Sequence, residues 1–229
     1  MKLAIKLSII IPIGPEDDSW RALLRELEPL LSKAEIIFTS SEPISLPKEW
    51  NEDSLVKRMI APLGRAKQMN TGATKATGEV LWFLHADSKF SASTLVAIDK
   101  LLQTSIEGIY FFDLSFFEGP LLMTLNRIGV WIRSRFLKLP FGDQGFIMTR
   151  QLFHHLGGFS ETALYGEDHL LIWRAHQLGV PVKPIRALLL TSGRKYSDRG
   201  WFHTTQRHLR LTFQQGKVEW QRIQKEKKE

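Results

Sequence analysis

The chain of 229 residues contains no cysteine, which excludes disulfides, zinc–thiolate sites and thiol nucleophiles. It also lacks any apolar run of about twenty residues, so we expect no membrane-spanning helix. The N-terminal residues resemble a secretory signal only superficially, because Lys6 interrupts the apolar run and Pro12 ends it without a small-residue cleavage site. Together these absences predict a cytoplasmic location.

Acidic residues are the scarcer charged class. The 31 Lys and Arg outnumber the 24 Asp and Glu, for a formal net charge of +7 and a pI near 9.7. A positive excess favours anionic partners such as nucleotides, nucleic acid or lipid headgroups. Because the cations are spread along the chain and no recognition-helix or RNA-binding motif is present, we predict no nucleic-acid partner.

The stretch at 78–88, GEVLWFLHADS, is the one around which the chain is organised. Its continuous apolar run is typical of a strand buried on both faces at the centre of a mostly parallel sheet. Ligands bind beyond the carboxyl ends of strands in such sheets, and Asp87 follows this strand directly. A carboxylate there suits a divalent cation that carries phosphate oxygens, although Asp87 and Ser88 would equally suit a helix cap.

The rest of the chain alternates predicted strands and helices, the order expected of an α/β sheet with nucleotide-binding potential. Apolar runs predict strands at 7–13, 35–39, 55–61, 80–84, 108–117, 146–149 and 184–191, with a polar loop containing Pro43 and Pro47 between the second and the third. Helical spacing and caps predict helices at 20–31, 65–77, 91–102, 121–139, 150–156 and 167–178. We predict one domain over 1–199 and a basic, helical extension over 200–229.

Two of the predicted helices carry ambiguous signals. The helix between Gly64 and Gly78 is rich in small residues, which allow close approach to a sheet or a ligand, and Arg65 at its start would attract phosphate. Its spacing alone favours a crossover helix packed on the sheet. The acids Glu167 and Asp168 open a later helix, where such residues commonly only complement the helix dipole.

The segment at 121–139 is basic and amphipathic. At 100° per residue its cations Arg127, Arg135 and Lys138 share one face with Trp131, and the opposite side is apolar, carrying Leu122, Leu125, Ile132 and Leu139. Such a helix could lie on an anionic bilayer. Most amphipathic helices pack on their own domain, and we favour that interpretation.

Five motifs occur in a family-specific order after an N-terminal strand SIIIP: GRAKQMNTGA, FLHADS, PFGDQG, GGF and GEDHLL. This set resembles glycosyltransferase family 2, whose members are inverting nucleotide-sugar transferases. It is most similar to a bacterial subgroup named radical-SAM/selenodomain-associated transferases. The resemblance extends to about Arg199 and implies the GT-A fold, a Rossmann-like, mostly parallel central sheet flanked by helices.

The resemblance also implies roles for individual residues. Asp168, beside Glu167, matches the catalytic base, and Asp87 matches the last acid of an Asp-x-Asp motif that binds Mn²⁺ or Mg²⁺ bridging the diphosphate. It assigns nucleotide-sugar contacts to Pro12 at the end of the first strand, Arg65, Asn70, Ala86, Asp87 and Arg194, and sugar or acceptor contacts to Gly142, Asp143 and Gln144. The implied donor is UDP-linked. The implied acceptor is a hydroxyl compound, lipid-linked in one interpretation, which would bring the protein to the inner face of the membrane.

The sequence departs from the family pattern at three places. His85 replaces the first acid of the Asp-x-Asp motif, and Ser40, Ser41 and Glu42 stand where many relatives place an Asp that holds the base. The family's Gln-x-x-Arg-Trp element is matched only loosely, by residues 193–196.

Two alternatives compete with a glycosyltransferase. A nucleotidyltransferase usually carries a Gly-rich, basic loop after the first strand, whereas residues 14–18 are acidic here and would repel a triphosphate. A non-catalytic membrane-surface or nucleotide-binding module would not need both Asp87 and Asp168. Inverting transfer needs a carboxylate base and no nucleophile, which agrees with the residues that the chain has and lacks.

Overall fold

The structure, a computed structural model, describes residues 6–163, 165–198, 200–206 and 210. Within that part of the chain seven strands form one sheet: β1 Leu7–Ile13, β2 Glu35–Ser40, β3 Val56–Ile60, β4 Val80–Phe83, β5 Ile109–Phe116, β6 Phe146–Thr149 and β7 Val182–Thr191. Their order across the sheet is β3-β2-β1-β4-β6-β5-β7. All neighbouring pairs are parallel except those that involve β6, which runs antiparallel to both β4 and β5.

In the described residues seven helices lie between the strands and an eighth follows β7: α1 Trp20–Leu27, α2 Lys48–Glu52, α3 Arg65–Lys75, α4 Ala92–Leu102, α5 Met123–Phe136, α6 Arg150–His155, α7 Glu167–Gln177 and, after β7, α8 Arg194–Asp198. Short 3₁₀ turns cover Glu28–Leu30 and Gly142–Gln144. Residues 201–206 are also helical. The chain therefore has the predicted α/β architecture of a mostly parallel sheet flanked by helices.

The predicted central strand is confirmed, because β4 lies between β1 and β6 and all of its residues are buried. Successive side chains of a strand point to opposite faces, and both faces of this sheet are covered. In β1, Ile9 and Ile11 join one apolar cluster and Ile10 joins the cluster on the other face. Double coverage explains why these strands read as continuous apolar runs rather than as alternating ones.

The small residues of α3 bring that helix close to the sheet. A Cβ atom added at Gly72 would lie 2.6 Å from Ile10 Cγ2 and 3.3 Å from Thr39 Cγ2. Real Cβ atoms do not approach other atoms so closely, and the crossover helix can therefore pack here only with glycine. The favoured interpretation of this segment as a packed crossover helix is confirmed.

Several local predictions need correction. β1 continues through Pro12 to Ile13, so that proline is buried within the strand rather than at its end. The segment predicted as a polar loop contains α2, which Pro47 precedes and in which Trp50 is buried. The first helix is shorter than the predicted 20–31, because α1 ends at Leu27 and Pro29 lies in the 3₁₀ turn that follows.

The segment at 121–139 differs most from expectation. The predicted helix is present as α5, but its apolar side chains Leu122, Leu125 and Ile132 are exposed rather than packed on the domain. Arg135, expected on a solvated basic face, instead donates to Asp113 of β5 at 2.6 and 2.9 Å. In the described part of the chain no helix is long and apolar enough to cross a bilayer.

Candidate active site

Most residues predicted to act at the site lie in segments that follow a strand of the sheet, as Arg65 follows β3, Asp87 follows β4 and Arg194 follows β7. The loop after β4 contributes His85, Ala86 and Asp87, and the turn before β6 contributes residues 142–144. Asp168 comes from the first turn of α7, where Gly166 in the left-handed region (φ 67°) sets the entry of the chain into the helix. Sheet topology thus brings together groups that are more than eighty residues apart in the sequence.

Asp168 and Glu167 are buried and bound to this surrounding structure. The Gly142 N–H donates to Asp168 Oδ2 at 2.5 Å. Arg65, the first residue of α3, donates from Nε to Glu167 Oε1, and its Nη2 lies 3.9 Å from Asp168 Oδ1. The expected free phosphate-attracting Arg65 is therefore an ion-pair partner of both acids in this structure.

Electrostatics keeps Asp168 ionised. Burial alone raises the pKa of this carboxyl, but the positive charge of Arg65 is the largest of several opposing effects. His169, the Gly142 N–H and His85 add to it, and the pKa falls to about 2. The same contacts raise the pKa of Arg65 against the effect of its own burial, so the pair stays charged at any physiological pH.

His85 joins this group on the side of β4. Its Nε2 lies 3.3 Å from Arg65 Nη1. A Cβ atom at Gly142 would lie 3.3 Å from the same Nε2 and 3.1 Å from Asp168 Oδ2. Glycine at 142 therefore permits the close approach of the turn, the imidazole and the carboxylate. The replacement of the first Asp-x-Asp acid by His85 places an imidazole beside Arg65.

Asp87 and Arg194 line a second part of the site, a cavity of about 200 Å³ between α1, the loop after β4 and the ends of β5 and β7. Asp87 is half-buried, and its Oδ2 accepts a hydrogen bond from Thr191 Oγ1 at 3.2 Å. Lys89 and Glu118 line the same cavity. Two residues that the sequence assigned separately to the diphosphate thus share one cavity.

The donor set around Asp87 suits a cation that arrives with phosphate. Within the described ranges no cluster of three or more His, Asp or Glu side chains is arranged to hold a metal ion. Mg²⁺-type sites in phosphate-binding proteins commonly use one or two carboxylates and complete their coordination with substrate oxygens and water. A single half-buried carboxylate in a cavity with Lys89 and Arg194 fits that arrangement.

A cleft of about 240 Å³ lies at the ends of β1 and β2. Residues 13–18 form one wall, and residues 40–45, including Ser40, Ser41 and Glu42, form the other. Pro12 lies one residue below this lining, buried in β1. The cleft is open and polar, and its acidic wall at Glu16, Asp17 and Asp18 contrasts with the cations near Asp87.

Two further predicted residues have their side chains directed elsewhere. Asn70 on α3 donates to Phe159 O at 2.9 Å and accepts from Phe159 N at 3.0 Å, so its amide holds the turn after Gly157 and Gly158. Ala86 is buried in the loop after β4. Asn70 therefore positions the neighbouring turn, and Ala86 belongs to the apolar cluster on one face of the sheet.

The structure adds residues that the sequence did not single out. Arg133 of α5 points inward, with Cζ 3.0 Å from the Phe141 ring centroid and Nη2 3.3 Å from Gln144 Oε1. Burial lowers the pKa of Arg133 to about 10, although Asp143, Asp168 and Tyr196 oppose the shift. The His169 ring packs on Phe141 with centroids 3.7 Å apart. The one sequence signal for Arg133 is that it follows Asn126 by seven residues, or two helical turns, on one polar face.

Comparison with known proteins supports the fold. No family model and no curated sequence matches the chain. Among solved structures, TarS 1–349 of S. aureus superposes with a TM-score of 0.65 at 14% identity, over 82% of this chain and 60% of that chain. A mannosyltransferase from Pyrobaculum calidifontis, in complex with GDP-Man and Mn²⁺, gives 0.58 at 19% identity over 83% and 58%. GalNAc-T7, with UDP, GalNAc and Mn²⁺, gives 0.53 at 16% identity over 83% and 43%.

These neighbours are glycosyltransferases with GT-A-like folds, and TarS 1–349 is also known in complex with UDP-GlcNAc. The chain spans about 60% or less of the length of each. At 14–19% identity the likeness is one of fold, and the chain has the GT-A fold.

Proposed function

We propose that the protein is an inverting glycosyltransferase that moves a sugar from a nucleotide-diphosphate sugar to an acceptor hydroxyl. The observation that carries the proposal is the convergence of Asp168, the turn at 142–144 and the end of β4 at one edge of a GT-A sheet. Such a reaction needs a carboxylate as its base, and Asp168 is the buried, ionised carboxylate at this edge of the sheet. The nucleotide sugars bound in the neighbouring structures support the substrate class.

The two cavities supply a binding site for the donor. We assign the nucleoside to the cleft between residues 13–18 and 40–45, which leaves Pro12 behind its wall. The diphosphate would then occupy the cavity lined by Asp87, Lys89 and Arg194, next to the buried Ala86, while Asn70 holds the turn at Phe159. A UDP-linked sugar is the donor that we expect, and its sugar would extend from there toward residues 142–144.

Asp87 would hold a divalent cation, Mn²⁺ or Mg²⁺, together with the diphosphate. The cation, when bound, supplies positive charge that neutralises the leaving group. Lys89 and Arg194 line the same cavity and contribute to that neutralisation directly.

Asp168 would act on the acceptor. Its carboxylate takes the proton of the acceptor hydroxyl while the hydroxyl oxygen bonds to the anomeric carbon, and the bond from that carbon to the diphosphate oxygen breaks on the opposite face. The diphosphate leaves with the electron pair. Arg65 and the Gly142 N–H hold the carboxylate in place, and Glu167 stays paired with Arg65.

Thermal unfolding with a panel of nucleotide diphosphates and nucleotide sugars, with and without Mn²⁺, tests the donor class. A ligand at about 100 times its Kd stabilises the native state by roughly 2.7 kcal/mol, which raises Tm by about 5–10 °C for a domain of this size. We expect the largest shift with a nucleotide sugar plus Mn²⁺. The shift should be lost in Asp87→Ala and kept in Asp99→Ala, an exposed acid of α4. No shift with any nucleotide, or an equal shift in Asp87→Ala, would overturn the proposal.

A further inference from the structure

The outer face of α5, defined by Leu121, Leu125, Ile128, Ile132 and Phe136, is apolar and exposed. Leu125 is 55% exposed and Phe136 is 69% exposed, and Leu121 just before the helix is almost fully exposed. The spacing of these residues by three or four places them along one stripe of the helix. Contiguous exposed apolar surface of this kind marks an interaction site on a protein.

The inner face of α5 is the more polar one, the reverse of an ordinary surface helix. Ser134 is completely buried, and its hydroxyl donates within the helix to Val130 O at 2.8 Å. Arg133 reaches the turn at the candidate site, and Asn126 donates to Thr205 at 3.3 Å. The fold therefore uses polar contacts to hold α5 and leaves its apolar stripe outward.

The sequence of the segment that carries this stripe has positive charge only. No acidic residue occurs between Glu118 and Asp143, a stretch that contains four cations. Of these, Arg127 and Lys138 are exposed beside the outer face, as is the ring of Trp131 at 47%. Phe202 is a further exposed apolar side chain, at 72%, on the helical residues 201–206, whose Trp201 donates to Asn126 of α5.

We propose that the outer face of α5 docks on an anionic lipid bilayer. A bilayer buries the apolar stripe, takes the amphipathic Trp131 ring at its interface and pairs phosphate headgroups with the flanking cations. The helix has 14 residues and is about 21 Å long, shorter than the roughly 30 Å hydrocarbon core, so it lies along the surface instead of crossing it. A second copy of the chain would bring like charges together at the same face, which disfavours self-association.

Membrane docking would place the candidate site close to the headgroups. Arg133, on the inner side of the same helix, contacts Phe141 and Gln144 at the turn beside Asp168. One helix, about 10 Å across, therefore separates the bilayer from that turn. On the basis of the proposed function, this geometry points to an acceptor hydroxyl carried by a lipid headgroup.

Flotation with vesicles of phosphatidylcholine, alone or with an equal amount of phosphatidylglycerol, tests the docking. We expect the full chain to bind the mixed vesicles at low salt and to bind them less as salt shortens the screening length to about 10 Å at 0.1 M. Pure phosphatidylcholine should bind weakly. Absence of binding to the mixed vesicles at low salt would overturn the proposal.

A matched pair of double variants identifies the face. Leu125→Glu with Ile132→Glu should weaken vesicle binding by about tenfold or more, because two half-exposed apolar side chains no longer enter the interface. Val96→Glu with Leu178→Glu changes two residues of similar exposure, 52% each, on α4 and after α7, and should bind like the wild type. Equal vesicle binding by both double variants would overturn the assignment to α5.

Two other partners of the outer face of α5, a second copy of the chain and another part of the same chain, would give different results in these experiments. If light scattering shows a dimer that only the α5 variant dissociates, the face belongs to a second copy. If the α5 variant loses thermal stability while the control variant does not, the face is covered by the protein's own chain. Donor binding in the thermal assay needs no vesicles, and vesicle binding needs no donor, so the failure of one proposal is distinguishable from the failure of the other.

Discussion

Asp168 combines burial with a retained negative charge, because Arg65 and the Gly142 N–H compensate the loss of water. Asp168→Asn keeps the size of the side chain and removes its ability to accept a proton. General-base catalysis contributes about 10²–10⁴-fold in rate, and we expect transfer to fall by that factor. Donor binding in the thermal assay should stay near the wild-type value.

Glu167→Gln is the matched control for this experiment, since it alters the adjacent acid and leaves Asp168 in place. It should weaken the contact with Arg65 and reduce transfer far less than Asp168→Asn. If Glu167→Gln is inactive while Asp168→Asn transfers sugar at close to the wild-type rate, the base is Glu167.

The low pKa of Asp168 has a signature in stability that does not depend on activity. Its folded-state pKa of about 2 is below the ordinary 3.8, so the unfolded chain binds the proton more readily and stability falls as the pH drops from about 4 to about 2. The depressed pKa corresponds to about 2 kcal/mol of stability that is fully present above about pH 4. In Asp168→Asn this contribution is absent. Urea unfolding should therefore show that the difference in the free energy of unfolding between wild type and variant becomes smaller as the pH falls from about 4 to about 2. A gap that stays constant from pH 5 to pH 2 would contradict the assigned pKa.

At the scale of elements, two helical glycines differ in what surrounds them. Gly72 of α3 faces β1 with no room for a methyl group, whereas a Cβ atom at Gly129 of α5 would meet nothing within 4 Å. We expect Gly72→Ala to destabilise the protein by about 1–3 kcal/mol through overpacking. Gly129→Ala should stabilise it by about 0.5–1 kcal/mol, because alanine loses less backbone entropy in a helix. Urea denaturation of both variants measures the sign of each change in the free energy of unfolding. If Gly72→Ala is as stable as the wild type, α3 can move away from the sheet.

Strands could be predicted where burial on both faces produces a continuous apolar run in the sequence. β1 and β6 have the predicted bounds because a strand covered on both faces is apolar at most of its positions. The short helix α2 was missed, since the prolines around it indicate a loop and the burial of Trp50 depends on distant contacts. The solvent side of α5 was predicted wrongly, because the 3.6-residue period reveals two faces but not which one the domain covers.

At the scale of the whole molecule, the candidate site depends on contacts that no local pattern encodes. The sequence motifs singled out Asp87, Asp168 and the turn at 142–144, and the fold brings the last two within hydrogen-bonding distance. The sequence could not reveal that Arg65 pairs with both Glu167 and Asp168, or that Arg133 of α5 contacts the turn at 142–144. The contacts of Arg65 join α3 to α7 across more than one hundred residues of sequence, and the contact of Arg133 joins α5 to the turn before β6.

The folded unit extends beyond residue 199, because residues at the start of the predicted extension contact the domain. Trp201 donates to Asn126 of α5, and Thr204 is buried, whereas the neighbouring Phe202 is 72% exposed. We expect Trp201→Ala to lower the free energy of unfolding by about 1–3 kcal/mol through the loss of packing and of this hydrogen bond. Phe202→Ala should change it by less than about 0.5 kcal/mol, as exposed substitutions usually do.

In vesicle binding we expect the opposite order, with the larger direct effect in Phe202→Ala and the smaller one in Trp201→Ala. Phe202 is an exposed aromatic side chain on the helical segment that contacts α5 through Trp201, so we expect Phe202→Ala to weaken binding to anionic vesicles while its urea unfolding matches the wild type. Trp201→Ala should lower the free energy of unfolding. It should weaken vesicle binding only if the helical residues 201–206 detach from the domain. If neither variant changes the free energy of unfolding, these residues are an extension that the domain does not need, and the folded unit ends near residue 199.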